Sequence, residues 1–283
     1  MPDLEVFRNK YLELPQNSFK AALLRVSPAG GDFYLNDCNE YAELGSCSYE
    51  NHLGLDLSNG ELITINSSVG YAAGTRQYWQ INCLAGNAAE ITVNEYFYGT
   101  TLADVRKFFD RITPEKERQY WEQQLAGFLA GAGLVSVKKE LDKYPGMISY
   151  KVKHPDFWQN SGGYVSFRLP TVLSNLFRTA GKRTLPYLRS ATDSRFLVCE
   201  VNLLKDWKDC KLIAPAVERS LPGGESSVSR KCEITADNTL IFSEKANIAP
   251  FYLDSSGYVL LENLQKELSD PAKLTILFKT SGK

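Results

Sequence analysis

Two stretches of the chain carry apolar residues at helical spacing. Leu102, Val105, Phe108, Phe109 and Ile112 fall on one stripe, and Trp121, Leu125, Phe128 and Leu129 form a second that stops at Gly131 and Gly133. Between them, Thr113-Pro114-Glu115 combines a capping hydroxyl, a proline at the first helical position and an acid in the first turn, which marks a helix start. Two shorter helices are predicted. One runs from Pro170 to Ala180, with Val172, Leu173, Leu176 and Phe177 turned inward and Gly181 closing it. The other runs from about Gly257 to Leu268 and ends at Asp270-Pro271.

Most of the remaining pattern has a period of two. In Tyr164–Leu169, Val165, Phe167 and Leu169 share one face and Ser166 and Arg168 the other. Similar runs occur at 19–26, 62–66, 90–97, 147–153, 196–203, 211–217, 231–235, 240–242 and 273–279. Strands grouped with strands, and helices not regularly interleaved, predict an α+β fold: a mixed or antiparallel twisted sheet with several packed helices. The predicted organisation is an acidic α+β part over residues 1–135 ending in two helices, then a strand-rich basic part over 136–283. A seam is expected near 136–146, with one continuous domain as the alternative.

The chain has 283 residues and a net charge of -1, with 43% apolar and 23% charged residues. That excludes a disordered chain and a disulfide-dense miniprotein, and it gives no licence for binding nucleic acid through bulk charge. The near-zero total hides an asymmetry. Residues 1–100 carry 12 acids against 5 bases, and no Lys or Arg lies between Arg25 and Arg76. Residues 151–192 hold Lys151, Lys153, Arg168, Arg178, Lys182, Arg183 and Arg189 against Asp156 alone. The two segments either attract each other in the fold or meet partners of opposite charge. The N-terminus has no apolar signal-peptide core. The uncharged run Gln123–Val137 is shorter than the roughly 20 residues a spanning helix needs. A soluble, cytoplasmic protein is expected.

Candidate chemistry is sparse. Six cysteines (Cys38, Cys47, Cys83, Cys199, Cys210 and Cys232) are scattered without a C-x-x-C pair, so no zinc site is predicted and free thiols are expected; Cys38 and Cys47 could close a short loop in an oxidising setting. Of two histidines, His154 precedes Pro155 in an expected surface loop. His52 sits in His52-Leu53-Gly54-Leu55-Asp56, which resembles the first ligand pair of LytM-type zinc endopeptidases, but no His-x-His completes the metal. The same run resembles the histidine strand of NlpC-type and lecithin-retinol-acyltransferase-like thiol hydrolases. That resemblance implies His52 as base for a nucleophilic Cys83 or Cys38. The Gly-rich segments read as turns, and no cofactor is expected.

Two further resemblances bear on function. Leu185-Pro186-Tyr187-Leu188-Arg189-Ser190 followed by Arg195–Val201, then Ser220-Leu221-Pro222-Gly223, Ser229–Thr235 and Leu240-Ile241-Phe242, resembles the order of elements in the pore-forming domain of gasdermins. Asn17–Val26 has the shape of that family's first strand. The resemblance implies a protein without catalytic activity that binds anionic membrane lipid through the cations of 151–192, oligomerises, and rearranges amphipathic strands into a barrel, associating with the membrane after activation. Leu12-Glu13-Leu14-Pro15, Gly30-Gly31 and Leu53–Leu62, closed by the helix at 101–112, are similar to SUKH-type immunity proteins. That implies a module whose acidic surface binds a basic protein partner. Under either resemblance the chain acts by binding, and no nucleic-acid partner is expected.

Overall fold

The computed structural model describes residues 21–28, 32–35, 39–50, 52–68, 70–177, 187–189, 192–221 and 225–280. The first half holds strands β1 (Leu24–Val26), β2 (Phe33–Leu35), β3 (Leu53–Asp56), β4 (Glu61–Thr64), β5 (Gly74–Cys83) and β6 (Ala89–Tyr98), then helices α1 (Gly99–Arg111) and α2 (Pro114–Ala126). Strands β7 (Gly133–Glu140), β8 (Gly146–His154), β9 (Gln159–Ser161), β10 (Tyr164–Arg168), β11 (Tyr187–Arg189) and β12 (Asp193–Asn202) follow. The chain continues with β13 (Trp207–Leu212), β14 (Val217–Ser220), β15 (Ser227–Ile234), β16 (Thr239–Ile248), β17 (Phe251–Leu253), helix α3 (Ser255–Ser269), a 3-10 turn over Pro271–Leu274, and β18 (Thr275–Thr280).

The centre is an eight-stranded sheet in the order β14-β15-β16-β12-β5-β6-β8-β7. Six of its seven neighbouring pairs are antiparallel, and only β12 and β5 run parallel. The sheet is thus two four-stranded antiparallel units joined along one parallel seam, where Thr75 faces Arg195 and Ile81 faces Val201. Gly74 opens the seam because a Cβ there would stand 2.8 Å from the Ser194 carbonyl. Gly99 turns β6 into α1 at φ +54°, where a side chain would run into the Tyr71 carbonyl.

A four-stranded sheet, β13-β18-β10-β9, covers the inner face over the larger core, which includes Trp79, Ile81, Val93, Cys199, Phe242, Phe167, Trp207 and Phe278. Trp158 meets Trp207 edge to face at 5.1 Å. Each such ring contributes about 1.5–3 kcal/mol by leaving water. Helix α3 packs on a second core with Val228, Ala246 and Ile248, and Leu102 and Trp121 of the helix pair α1–α2 pack on a third with Phe97 and Ile148. The Thr113 start is as expected, and the C-terminal helix begins at Ser255, two residues before the expected Gly257. Thr113 Oγ1 accepts from the Lys116 amide at the head of α2, and Asp254 accepts from the Gly257 amide at the head of α3.

The expected fold class is overturned. Strands account for 46% and helices for 19% of the described residues, in three helices, so the protein is predominantly β and no layer of packed helices exists among them. The helix predicted from Pro170 to Ala180 shows why. Its apolar residues Leu173, Leu176 and Phe177 are buried, but residues 171–177 form turns and bends, while 178–180 lie outside the described residues. Here Gln265 claims the groups a helix would have joined: its Oε1 accepts the Phe177 amide at 2.8 Å and its Nε2 donates to the Leu173 carbonyl at 3.3 Å. The eight-stranded sheet takes β5 and β6 from residues 1–135 and β8, β12 and β14–β16 from 136–283. Strand β7 spans the boundary expected between them, and residues 136–146 run through β7 and its connection to β8.

Candidate functional site

A polar cleft of about 580 Å³ opens at the head of the parallel seam. Strand β5 brings Gly74, Thr75 and Gln77, and β12 brings Asp193 and Arg195. Thr101 of α1, Gln124 of α2 and the 171–175 segment (Thr171, Val172, Ser174, Asn175) form the walls. The inward faces of both seam strands explain its position. In β5 the inward residues run Thr75, Gln77, Trp79, Ile81, Cys83, and in β12 they run Asp193, Arg195, Leu197, Cys199, Val201, polar at the head and apolar below.

Arg195 is held tightly. Its Nε lies 3.1 Å from both Asp193 carboxylate oxygens, Nη2 donates to Oδ2 at 2.8 Å, and Nη1 donates to the Val172 carbonyl at 3.0 Å. Asp193 also accepts from Arg189 Nη2 at 2.9 Å, while Arg189 Nη1 donates to the Leu176 carbonyl at 2.8 Å.

Beneath the cleft a row of polar side chains, interrupted at Leu197, crosses the inner face in register. Arg230 faces Glu244, Glu244 faces Leu197, Leu197 faces Gln77, and Gln77 faces Glu95. Gln77 Nε2 donates to Glu95 Oε1 at 2.7 Å, and Trp79 Nε1 donates back to Gln77 Oε1 at 3.1 Å. Burial pushes the Glu95 carboxyl above the usual carboxylate range against the opposing effect of the Gln77 bond. Burial, with Glu95 nearby, also carries the Tyr120 phenol to about 12 and raises Tyr150. At the other end, Arg230 and Glu244 form a fully buried pair at 2.8 Å. Glu244 Oε2 takes the Thr171 hydroxyl at 2.7 Å and the Val172 amide, which ties the cleft wall to the sheet. Burial raises the Glu244 carboxyl, and Arg230 opposes the shift. Arg230 Nη2 donates to the Leu268 carbonyl at 3.0 Å, and Nη1 has no hydrogen-bond partner among the described residues.

The residues singled out in the sequence lie elsewhere. His52 precedes β3, its Nδ1 3.1 Å from the Glu50 carbonyl. Cys83 ends β5 inside the larger core, where burial alone pushes its thiol up to about 12, so near neutral pH it carries almost no thiolate. Burial likewise raises the Cys47, Cys199, Cys210 and Cys232 thiols. Cys38 lies outside the described residues. His154 is not in a surface loop. It is the last residue of β8, buried, and accepts from the Asp156 amide, with burial holding its pKa below the usual value.

The basic segment does not assemble into one patch among its described members. Lys151 and Lys153 are exposed on β8, Lys153 paired to Glu90 at 3.2 Å. Arg168 is exposed at the end of β10, in the other sheet, and Arg189 is turned into the cleft wall. Arg178, Lys182 and Arg183 lie outside the described residues. Acids of the cation-poor stretch are met by α1 instead, through Arg106 to Glu43 at 2.7 Å and Arg111 to Glu40 at 3.3 Å. Among the described residues no three metal-ligating side chains group together, and no helix is long and apolar enough to cross a membrane.

No protein-family model matches this chain, and no curated protein matches it. A solved structure described as a "putative protease" from Parabacteroides distasonis is similar at 16% identity and a TM-score of 0.35, over 43% of this chain and 24% of that one. The chain therefore spans about a quarter of the length of that protein, and so slight a likeness carries neither fold nor activity.

The polar row beneath the cleft, though not the cleft itself, leaves a signal in the sequence. In β6, β15 and β16 one inward position breaks an apolar series: Glu95 between Val93 and Phe97, Arg230 between Val228 and Cys232, Glu244 between Phe242 and Ala246.

Proposed function

We propose that this chain acts by binding and not by catalysis, and that its ligand enters the cleft at the head of the β5–β12 seam. The observation that carries the reading is the cleft itself: hydroxyls and amides converge there around a braced arginine, over buried polar groups that the apolar core does not need. The raised thiol of Cys83, at about 12, argues against hydrolysis through that cysteine. Asn175→Trp places a large ring at the mouth from an exposed position. A small-molecule library followed by amide chemical shifts is expected to perturb residues 74–77, 171–175 and 192–195 in the wild type, and the same hits are expected to be lost in Asn175→Trp with its melting temperature kept. Hits that map elsewhere, or that bind the variant equally, overturn the reading.

A second reading, a membrane-permeabilising protein of the kind the gasdermin resemblance implies, is favoured by strand length. Strands β5, β6, β12 and β16 each have ten residues with alternating inward and outward faces. A tilted strand needs about 9–11 residues to cross a bilayer. The reading predicts dye release from vesicles containing phosphatidylserine, reduced in Lys151→Glu/Lys153→Glu/Arg168→Glu. Absence of release before and after limited proteolysis overturns it. The immunity-protein reading makes Glu40 and Glu43 candidate contacts, in competition with Arg106 and Arg111.

A further inference from the structure

We propose that the ligand of the cleft is a small hydroxylated anion, a polyol bearing one carboxylate or phosphate, with its anionic group seated on Arg195 at the head of the seam. The inference rests on the reading of the cleft as the ligand seat and names the chemistry of what it takes. Two charged side chains line the cleft, Arg195 and Asp193. Asp193 accepts from Arg195 Nε and Nη2 and also from Arg189 Nη2, so its charge is shared between two guanidinium groups and does not go to Arg195 alone. Nη1 and Nη2 of Arg195 each carry two hydrogens and each gives one, to Val172 and to Asp193. One donor remains on each nitrogen for an anionic oxygen.

Helix α1 adds to the same sign. Thr101 in its first turn lines the cleft, that turn holds no acid, and Tyr98 supplies no side-chain cap. The positive end of the helix dipole therefore stands near the cleft with no acid in its own first turn, although the Glu50 carboxylate accepts from the Ala73 amide close by. The other polar linings, Thr75, Thr192, Ser174, Asn175 and Gln124, are neutral donors and acceptors suited to ligand hydroxyls. The volume, about 580 Å³, is within the range of small-molecule sites.

The test uses matched pairs that differ in charge: gluconate against sorbitol, and glucose 6-phosphate against glucose, titrated into the full chain and followed by amide shifts and melting temperature. At least one anion is expected to bind at the cleft at least tenfold more tightly than its neutral partner, with affinity falling as salt is raised. Arg195→Gln is expected to remove that preference. Because Arg195 also braces the wall, Gln124→Glu provides a second variant on an exposed helical position; it is expected to weaken the anion at least tenfold more than it weakens the neutral compound. If phosphate binds and carboxylate does not, or the reverse, the source of the charge is decided within the proposal. Equal binding of neutral and charged partners, or unchanged anion binding in Gln124→Glu, overturns the anionic class and leaves the cleft reading standing. No binding of either anion overturns the proposal, while the library screen with Asn175→Trp decides the cleft separately.

Discussion

Glu95 shows what a single desolvated, partly buried carboxyl does to a β-sheet protein. Its pKa is raised by burial, so the native state holds a proton that the unfolded chain has released above about 4.3. A group of this kind stabilises the fold below the unfolded value, and that contribution is lost as pH rises through the native value. Glu95→Gln keeps an acceptor for Gln77 Nε2 and removes the charge. We expect it to raise the melting temperature at pH 7, leave it nearly unchanged at pH 4, and flatten the decline between; a lower melting temperature at pH 7 contradicts this. Arg230 is the opposite case, a buried guanidinium whose carboxylate partner is also sealed from water. Arg230→Met leaves Glu244 without its cation, and chemical denaturation is expected to register a loss of about 3–5 kcal/mol.

The elements show which sequence signals carry through to structure. The stripe from Leu102 to Ile112 became α1, and the Thr113-Pro114 start became α2, because capping and period both act within a few residues. Asp270-Pro271 ended α3 for the same local reason. The Pro170–Ala180 stripe does not become a helix because Gln265, distant in sequence, takes the Phe177 amide and the Leu173 carbonyl that a helix would have joined. Strand β5 was not recognised because Thr75 and Gln77 fill the inward positions that an apolar alternation should hold, and those are the residues of the cleft. The candidate site thus escaped the reading for the reason that makes it a site. At this scale Gly74 is the position to test. Gly74→Ala forces a methyl against the Ser194 carbonyl and should spread the seam at its head, at a cost of about 1–3 kcal/mol by denaturation. Gly86→Ala meets open space and is the control for local crowding, though its own φ of +73° adds a backbone cost that crowding does not explain.

At the scale of the whole molecule, the two antiparallel units are built from contacts closer in sequence than the contacts that join them. Asn82 and Asn202, bonded across the seam at 2.6 Å, are 120 residues apart. Closing so long a loop is entropically costly until much of each unit has formed. In pulse-labelled hydrogen exchange during refolding, amides shared by β5 with β6 and by β15 with β16 are expected to gain protection before those joining β5 to β12. Simultaneous protection contradicts a seam that closes last. The polar row beneath the cleft has a different consequence, for the accuracy of strand pairing. If β15 slips by two residues along β16, every apolar side chain stays on the inner face, so hydrophobic burial alone does not reject the mistake. The slip sets Arg230 opposite Phe242 or Ala246 in place of Glu244, and a guanidinium stranded in the core costs about 3–5 kcal/mol. The row works as a gauge: only one alignment of these strands brings its charges together.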